Sequence, residues 1–467
     1  MKKIFITSAI CLLTSYIYSQ ADLGLPVATG KGGAANGIVK DWECIGINPA
    51  NLGWENNYRF SISPLIFGIS IQSKAMDYAA IKQAMLDPNK KFTAEEKLNY
   101  VTLFSREDGL NLQSNINWVA LSFVVPKVGG FAMNLRDRSF GHISLNPNAA
   151  DVLFNGTSAK IFKDTSTYTK LMSEIFDGTR ISFMDYRELN LSYGRKLFGI
   201  GGTKDSSAVS VYGGFGFKYL WGMANFEMIA ENGELNGHSS MSSKFGIDYR
   251  NMKNFTPENS TGMFDAVGSG TAWDFGAGIG IRKMKITFSA TDIGKINWGH
   301  NVLVAVDIPM PDTSKMNYSG IESWNILEQA NKMFNDSGIV QFKSGTDYET
   351  VLSSKLRVGA GYQFSKWIVV GADMVMPMND NPTNLSNAYY ALGTEIGLAS
   401  NFKFSFGFTG NSQYKFAMPF GITIGRFAKI FEIRVATNDI LTHIAKGADP
   451  NISIALSLFR FNLEPKK

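Results

Sequence analysis

The feature that most constrains this chain is an alternation of apolar and polar residues with period two, repeated in segments of about ten residues. From Asn401 to Phe408 the even positions are Phe402, Phe404, Phe406 and Phe408, and the odd ones are Asn401, Lys403, Ser405 and Gly407. One face of that segment is wholly aromatic. Leu356, Val358, Ala360, Tyr362 and Phe364 alternate with Arg357, Gly359, Gly361 and Gln363 in the same way, and Trp273, Phe275, Ile279 and Ile281 oppose Asp274, Gly276, Gly278, Gly280 and Arg282. About ten residues is the length a tilted strand needs to cross a hydrocarbon layer. Beyond the N-terminus no run reaches the roughly 18 apolar residues of a membrane helix, so any span must be made of strands. The 46 glycines, 34 phenylalanines and 18% charged residues suit such a sheet.

Strand segments of this kind also cover residues 116–125, 130–138, 186–198, 208–219, 238–250, 284–289, 366–376, 388–398, 418–426, 429–438 and 451–461. Two are weaker: 58–71 contains Pro64, which removes a ladder donor, and 222–232 barely alternates. Connections separate a soluble sandwich from a membrane barrel, because barrels keep short turns at one rim and long loops at the other. Short links at 126–129, 282–283, 365–366, 400 and 428 here alternate with long ones such as 72–115, 139–185 and 294–353. The expectation is an all-β, transmembrane antiparallel β-barrel of about 14 strands, within a range of about 12 to 16.

Lys2 and Lys3 before the apolar stretch Ile4–Leu13, with Ser19-Gln20-Ala21 after it, read as a signal peptide over residues 1–21. Its removal lowers the formal charge from +5 to +3 and leaves Cys44 as the sole cysteine, so neither a nucleic-acid footprint nor an internal disulfide is expected. His142, His238, His300 and His443 have no ligand spacing, and no metal or other cofactor is expected. Gly276-Ala277-Gly278-Ile279-Gly280 lies in a strand and opens no helix; its glycines suit a lumen wall that something approaches closely, not a phosphate loop. No nucleophile motif appears, and the chain reads as no enzyme.

Three long loops carry helical pattern: Asp77–Leu86 and a capping box at Thr93-Ala94-Glu95-Glu96 leading towards Phe104, then Thr167–Phe176, then Ile321–Phe334. Short helices lidding the barrel mouth on the extracellular side are the expectation, with capture of a partner or ligand as the sharper alternative.

Residues 22–57 are rich in small residues and contain Ile47-Asn48-Pro49-Ala50-Asn51-Leu52-Gly53. Asn48, Pro49 and Ala50 resemble the turn in the N-terminal plug of the long-chain fatty acid transporter (FadL) family, here in an uncharacterised branch with Gly216-Phe217-Lys218-Tyr219 and a run from Asp292 to Trp298. The resemblance implies a plug over residues 22–57 and a barrel over 58–467. It also implies passive transport of hydrophobic small molecules such as fatty acids across the outer membrane of a Gram-negative bacterium. Its partners would be outer-membrane lipid, a hydrophobic ligand and other envelope proteins. Arg136 and Arg138, on a strand opening with Gly129-Gly130, are then the candidates to hold a carboxylate head group; alternatively they pair with lumen acids such as Glu395 or Glu432. A second reading is a non-transporting structural or adaptor barrel of a secretion or surface complex. The chain departs from the pattern in its polar tail, Asn462–Lys467.

Overall fold

In the computed structural model the alternating segments close on themselves as one antiparallel sheet. The structure describes residues 25–54, 58–106, 109–203, 206–245, 263–315, 317–325, 328–329, 339–381, 383–385, 387–399, 401–411, 416–427, 431–445 and 450–463, so the signal segment 1–21 lies outside the described residues. With strands numbered in chain order, 14 of them form the wall: β1 (Phe60–Ser73), β2 (Leu110–Val125), β3 (Gly129–Ser144), β4 (Thr179–Thr203), β5 (Ser206–Glu231), β7 (Gly268–Ile281), β8 (Met284–Trp298), β12 (Lys355–Ser365), β13 (Ile368–Pro377), β14 (Tyr389–Ala399), β15 (Phe402–Gly410), β16 (Phe420–Phe427), β17 (Phe431–Thr437) and β18 (Asn451–Ser457). β18 returns to β1, with Ile66 opposite Ser457, and β19 (Phe461–Leu463) completes that seam. Closure removes the sheet edge that a hydrocarbon layer would not tolerate. The four others, β6 (Glu234–Met241), β9 (Val302–Val306), β10 (Gln341–Ser344) and β11 (Tyr348–Val351), raise the wall at the long-loop end.

The count of 14 arises differently from the sequence expectation. The Pro64 segment is a wall strand, because Pro64 falls where its partner is interrupted between β18 and β19, and Leu65 beside it bulges outward with φ 47°. Residues 222–232 continue 208–219 as the single long strand β5. Of the 238–250 segment, residues 238–241 lie in β6, which rides above the barrel on β5 and β9, and residues 246–250 lie outside the described residues.

Outward residues are large and apolar. Phe215, Trp273, Phe275, Phe288, Tyr390 and Phe406 are all exposed, while their neighbours in sequence turn in. A continuous apolar exterior on a closed barrel is the surface of a transmembrane protein. Below the membrane band the β4–β5 hairpin outruns its neighbours. β3 last pairs with β4 at Gly130–Gly194, yet β4 continues to Thr203, and Arg195 to Gly201 are exposed on both faces.

At the opposite end a helical lid covers the mouth. Asp77 caps Tyr78–Leu86, and Thr93 with Glu96 forms a capping box on Ala94–Phe104. A third helix, Pro147–Asn155, is capped by Asn146. The Thr167–Phe176 segment is not one helix: a 3-10 turn, Thr165–Thr169, and a short helix, Met172–Ile175, are separated where the Lys170 carbonyl accepts from the Met310 N–H and the Met172 N–H donates to the Ile308 carbonyl, setting Leu171 opposite Pro309. Of Ile321–Phe334, residues 326–327 and 330–334 lie outside the described residues. Trp324 packs against Phe92 and Tyr100, with ring centroids 4.9 and 5.0 Å apart, which ties the third loop to the first.

Candidate functional site

Residues 25–54 fill the barrel from within, and nearly every one is buried. The segment turns tightly because Gly32, Gly33 and Gly46 take positive φ (62, 95 and 72°). Asn48 is extended, its Oδ1 accepts from the Ala50 N–H at 3.0 Å, and Pro49 starts the 3-10 turn Pro49–Gly53. The Asn48 amide then donates to Asn36 Oδ1 (2.9 Å) and to wall carbonyls of Phe288 (3.1 Å) and Ala277 (3.4 Å). One side chain thus shapes the turn and fastens it to β7 and β8.

Wall glycines make this approach feasible. A Cβ on Gly276 would lie 2.1 Å from Asn48 Oδ1, one on Gly214 2.5 Å from the Ala50 nitrogen, and one on Gly361 2.2 Å from the Gly37 carbonyl. At these positions the wall is one methyl group thinner than any other residue would leave it.

Ion pairs hold the plug on the far side. Arg460 reaches in from the gap between β18 and β19 to Asp41 (2.7 Å) and Glu43 (3.0 Å), and Arg434 also bonds Glu43. Lys31 meets Glu395 at 3.3 Å, and Asp373 Oδ2 accepts the Ala35 and Asn36 N–H groups at 2.8 and 2.7 Å. Cys44 is fully buried, and that burial, with the nearby Asp41 and Glu43 charges, pushes its thiol pKa well up.

A second charged group sits on β3, β4, β5, β7 and β8. Arg136 donates to Glu188 at 2.5 Å, Arg138 to Asp292 at 3.0 Å, and Lys218 bonds both Asp274 (2.8 Å) and Asp292. Three cations face three anions, all buried. The partners of Arg136 and Arg138 are therefore Glu188 and Asp292, not Glu395 or Glu432, and a carboxylate head group would have to take the place of one of those acids. β3 pairs continuously with β4 from Gly130 to Ser144. Asp292 enters the lumen through a bulge, where the β7–β8 register slips between Trp273 and Phe275 and Asp292 takes φ 59°. Here the Gly216–Tyr219 and Asp292–Trp298 motifs meet, through the Lys218–Asp292 contact. Arg282, which ends the polar face of its segment, lies exposed in the β7–β8 turn.

The lumen is layered. At the floor the plug's Trp42, Ile45, Ile47 and Leu52 pack with Ile66 of β1, Ala120 of β2 and Ala132 of β3. At the top, lid residues Met76, Ile81, Tyr100, Phe104 and Phe154 pack with Ile71, Leu110 and Ile452. Between these apolar layers β2 turns in only amides, Asn111, Gln113, Asn115 and Asn117, and β3 to β8 supply the charges.

No curated protein sequence matches the chain. Among solved structures it is similar to the CymD monoaromatic hydrocarbon channel (10% identity, TM-score 0.44, 95% of this chain and 99% of that one). It is also similar to the toluene transporter TodX of Pseudomonas putida (8%, 0.43, 96% and 98%) and to a FadL homologue of Pseudomonas aeruginosa (10%, 0.41, 95% and 97%). A family model matches residues 49–429, from the plug turn to the end of β16. The chain belongs to that family, a family of unknown function (DUF5723).

Proposed function

We propose that the protein is a passive channel for small hydrophobic molecules in the outer membrane of a Gram-negative bacterium, and that it performs no covalent chemistry. One observation carries this reading: the apolar seam where Trp42, Ile45, Ile47 and Leu52 of the plug meet Ile66, Ala120 and Ala132 of the wall. The plug is bonded to the barrel by hydrogen bonds and ion pairs, so a modest shift along the seam opens an apolar path between lid and periplasm. The plug-and-barrel resemblance of the sequence supports the same reading, as do the names of the similar channels.

The test is uptake of a neutral fluorescent hydrophobe, 1-N-phenylnaphthylamine, by intact cells with and without the gene, at matched amounts of heat-modifiable barrel. Faster uptake with the gene is expected. Equal uptake, together with a stoichiometric co-purifying envelope protein, would establish the adaptor reading in its place.

A further inference from the structure

The exposed charges of the two rims differ. At the long-loop end exposed cations meet acids, as Lys90 meets Glu96, Lys91 meets Glu322 and Lys295 meets Glu349. At the short-turn end Lys127, Arg195, Arg282, Lys283 and Lys366 are all exposed, and the described residues of the β2–β3, β4–β5, β7–β8 and β12–β13 turns include no acid. Lys204 and Asp205, outside the described residues, add one charge of each sign. A rim of one sign attracts anions, and at the edge of a bilayer the anions are lipid phosphates.

A cleft lies on the lipid side of this rim, over the start of β1. Its volume is about 460 Å³, its walls are Phe60, Phe123, Val125, Pro126 and Leu463, and Arg59 borders it. Register shows which side it opens on: Leu463 stands opposite Phe60 and Phe60 opposite Phe123, and opposite residues share a face. Their neighbours Ser61 and Ser122 are buried towards the lumen, whereas Phe123 and Leu463 are 41% and 64% exposed. The row runs on through Phe131 and Tyr193, with ring centroids 5.2 and 4.9 Å apart, and the Tyr193 hydroxyl donates to the Val128 carbonyl at 2.8 Å. Aromatic side chains with a polar tip mark the depth where hydrocarbon meets head groups. Lys127, between Pro126 and Val128, therefore stands at phosphate level, as does Arg59 beside Phe60.

We propose that this cleft binds an anionic phospholipid of the periplasmic leaflet, with an acyl chain among Phe60, Phe123 and Leu463 and the phosphate held by Arg59 and Lys127. A zwitterionic phospholipid suits it less, because its ammonium would meet no acid among the described residues on the lipid side of this rim. This rests on the outer-membrane placement proposed above, which puts phospholipid at the short-turn rim, and not on transport.

The experiment offers the full chain, purified in mild detergent, equal amounts of phosphatidylglycerol and phosphatidylethanolamine with the same acyl chains, and counts retained lipid by native mass spectrometry. Wild type should retain phosphatidylglycerol about thirtyfold over phosphatidylethanolamine, two surface cations' worth. Arg59→Gln with Lys127→Gln should bring that ratio towards one with the heat-modifiable form unchanged. Arg282→Gln with Lys283→Gln, on the same rim away from the cleft, should leave it intact. Val125→Trp, which fills the cleft, should cut retention of both lipids, and glycerol phosphate should not displace them. Equal retention of the two lipids by wild type overturns the proposal; sedimentation with isolated peptidoglycan in that case would assign the rim to that acidic polymer. An equal loss of preference in both double variants also overturns it, since the rim would then be a diffuse anion surface with no site. Displacement by glycerol phosphate does the same, because the cleft would hold no acyl chain. Uptake plays no part in these readouts, so the channel reading and the lipid site fail separately.

Discussion

Replacing Asn48 by alanine tests whether one side chain fastens the plug to the wall. Alanine removes the bonds to Asn36 and Phe288, the longer one to Ala277 and the acceptor for the Ala50 N–H. Counting the three shorter bonds at about 1 kcal/mol each gives about 3 kcal/mol. Because the change acts on the plug and not on the ladder, it should appear as local opening of residues 25–54 with the barrel intact. Cys44, fully buried within the plug and the one cysteine among the described residues, reports that opening through its labelling by a bulky maleimide. If the plug opens and recloses faster than it reacts, about 3 kcal/mol raises the labelling rate by roughly a hundredfold. Asn48→Asp keeps the acceptor for Ala50 but turns a buried carboxylate oxygen towards three acceptor oxygens, and should open the plug at least as far as alanine does. Rapid labelling of wild type, or equal rates in wild type and Asn48→Ala with the barrel folded in both, would falsify this account.

Phe406→Arg, on the lipid face, should cost about 2–4 kcal/mol near mid-depth and reduce the heat-modifiable form on gels. Ser405→Arg, which period-two reasoning alone would rate as mild because it faces inward, should expose Cys44 to maleimide, since Ser405 Oγ packs against Gly30. Lys218→Met leaves Asp292 with Arg138 but strands Asp274, and should lower stability by about 3–5 kcal/mol; chemical denaturation of the refolded barrel measures it, and adding Asp274→Asn should restore part. Trp324→Ala opens the aromatic lid cluster; proteolysis of the 78–104 loop should accelerate while the barrel's gel shift stays put, and concerted loss of both would show that lid and barrel fold as one unit.

The barrel was legible because period two is a direct imprint of a sheet with unlike faces, and the alternating loop lengths separated one rim from the other. What misled was local. Pro64 looks unfit for a wall strand until β18 is seen to break opposite it, a fact carried by residues almost 400 positions away. Residues 222–232 are no separate strand but extend β5 above the membrane, where the wall has no lipid face and so no reason to alternate, and residues 238–241 pair with it there in β6. The helix at Pro147–Asn155 was legible and overlooked: Asn146-Pro147 is a cap followed by proline at the first helical position. In the lumen, phase alone turns Lys218 inward. It could not show that Arg138 meets Asp292, because a bulge in β8 delivers that acid.

The run of β4 beyond Gly194 carries a consequence for how the protein sits in its bilayer. Its edge from Arg195 onward offers N–H and C=O groups to no strand, and such groups must be hydrated. The hydrocarbon boundary therefore cannot lie below the Gly130–Gly194 row on that side, whatever the apolar character of Leu197, Phe198 and Ile200. This edge acts as a depth stop: it sets how far the barrel can sink, and it keeps three large apolar side chains beyond the hydrocarbon, where the thickness of the membrane no longer governs them.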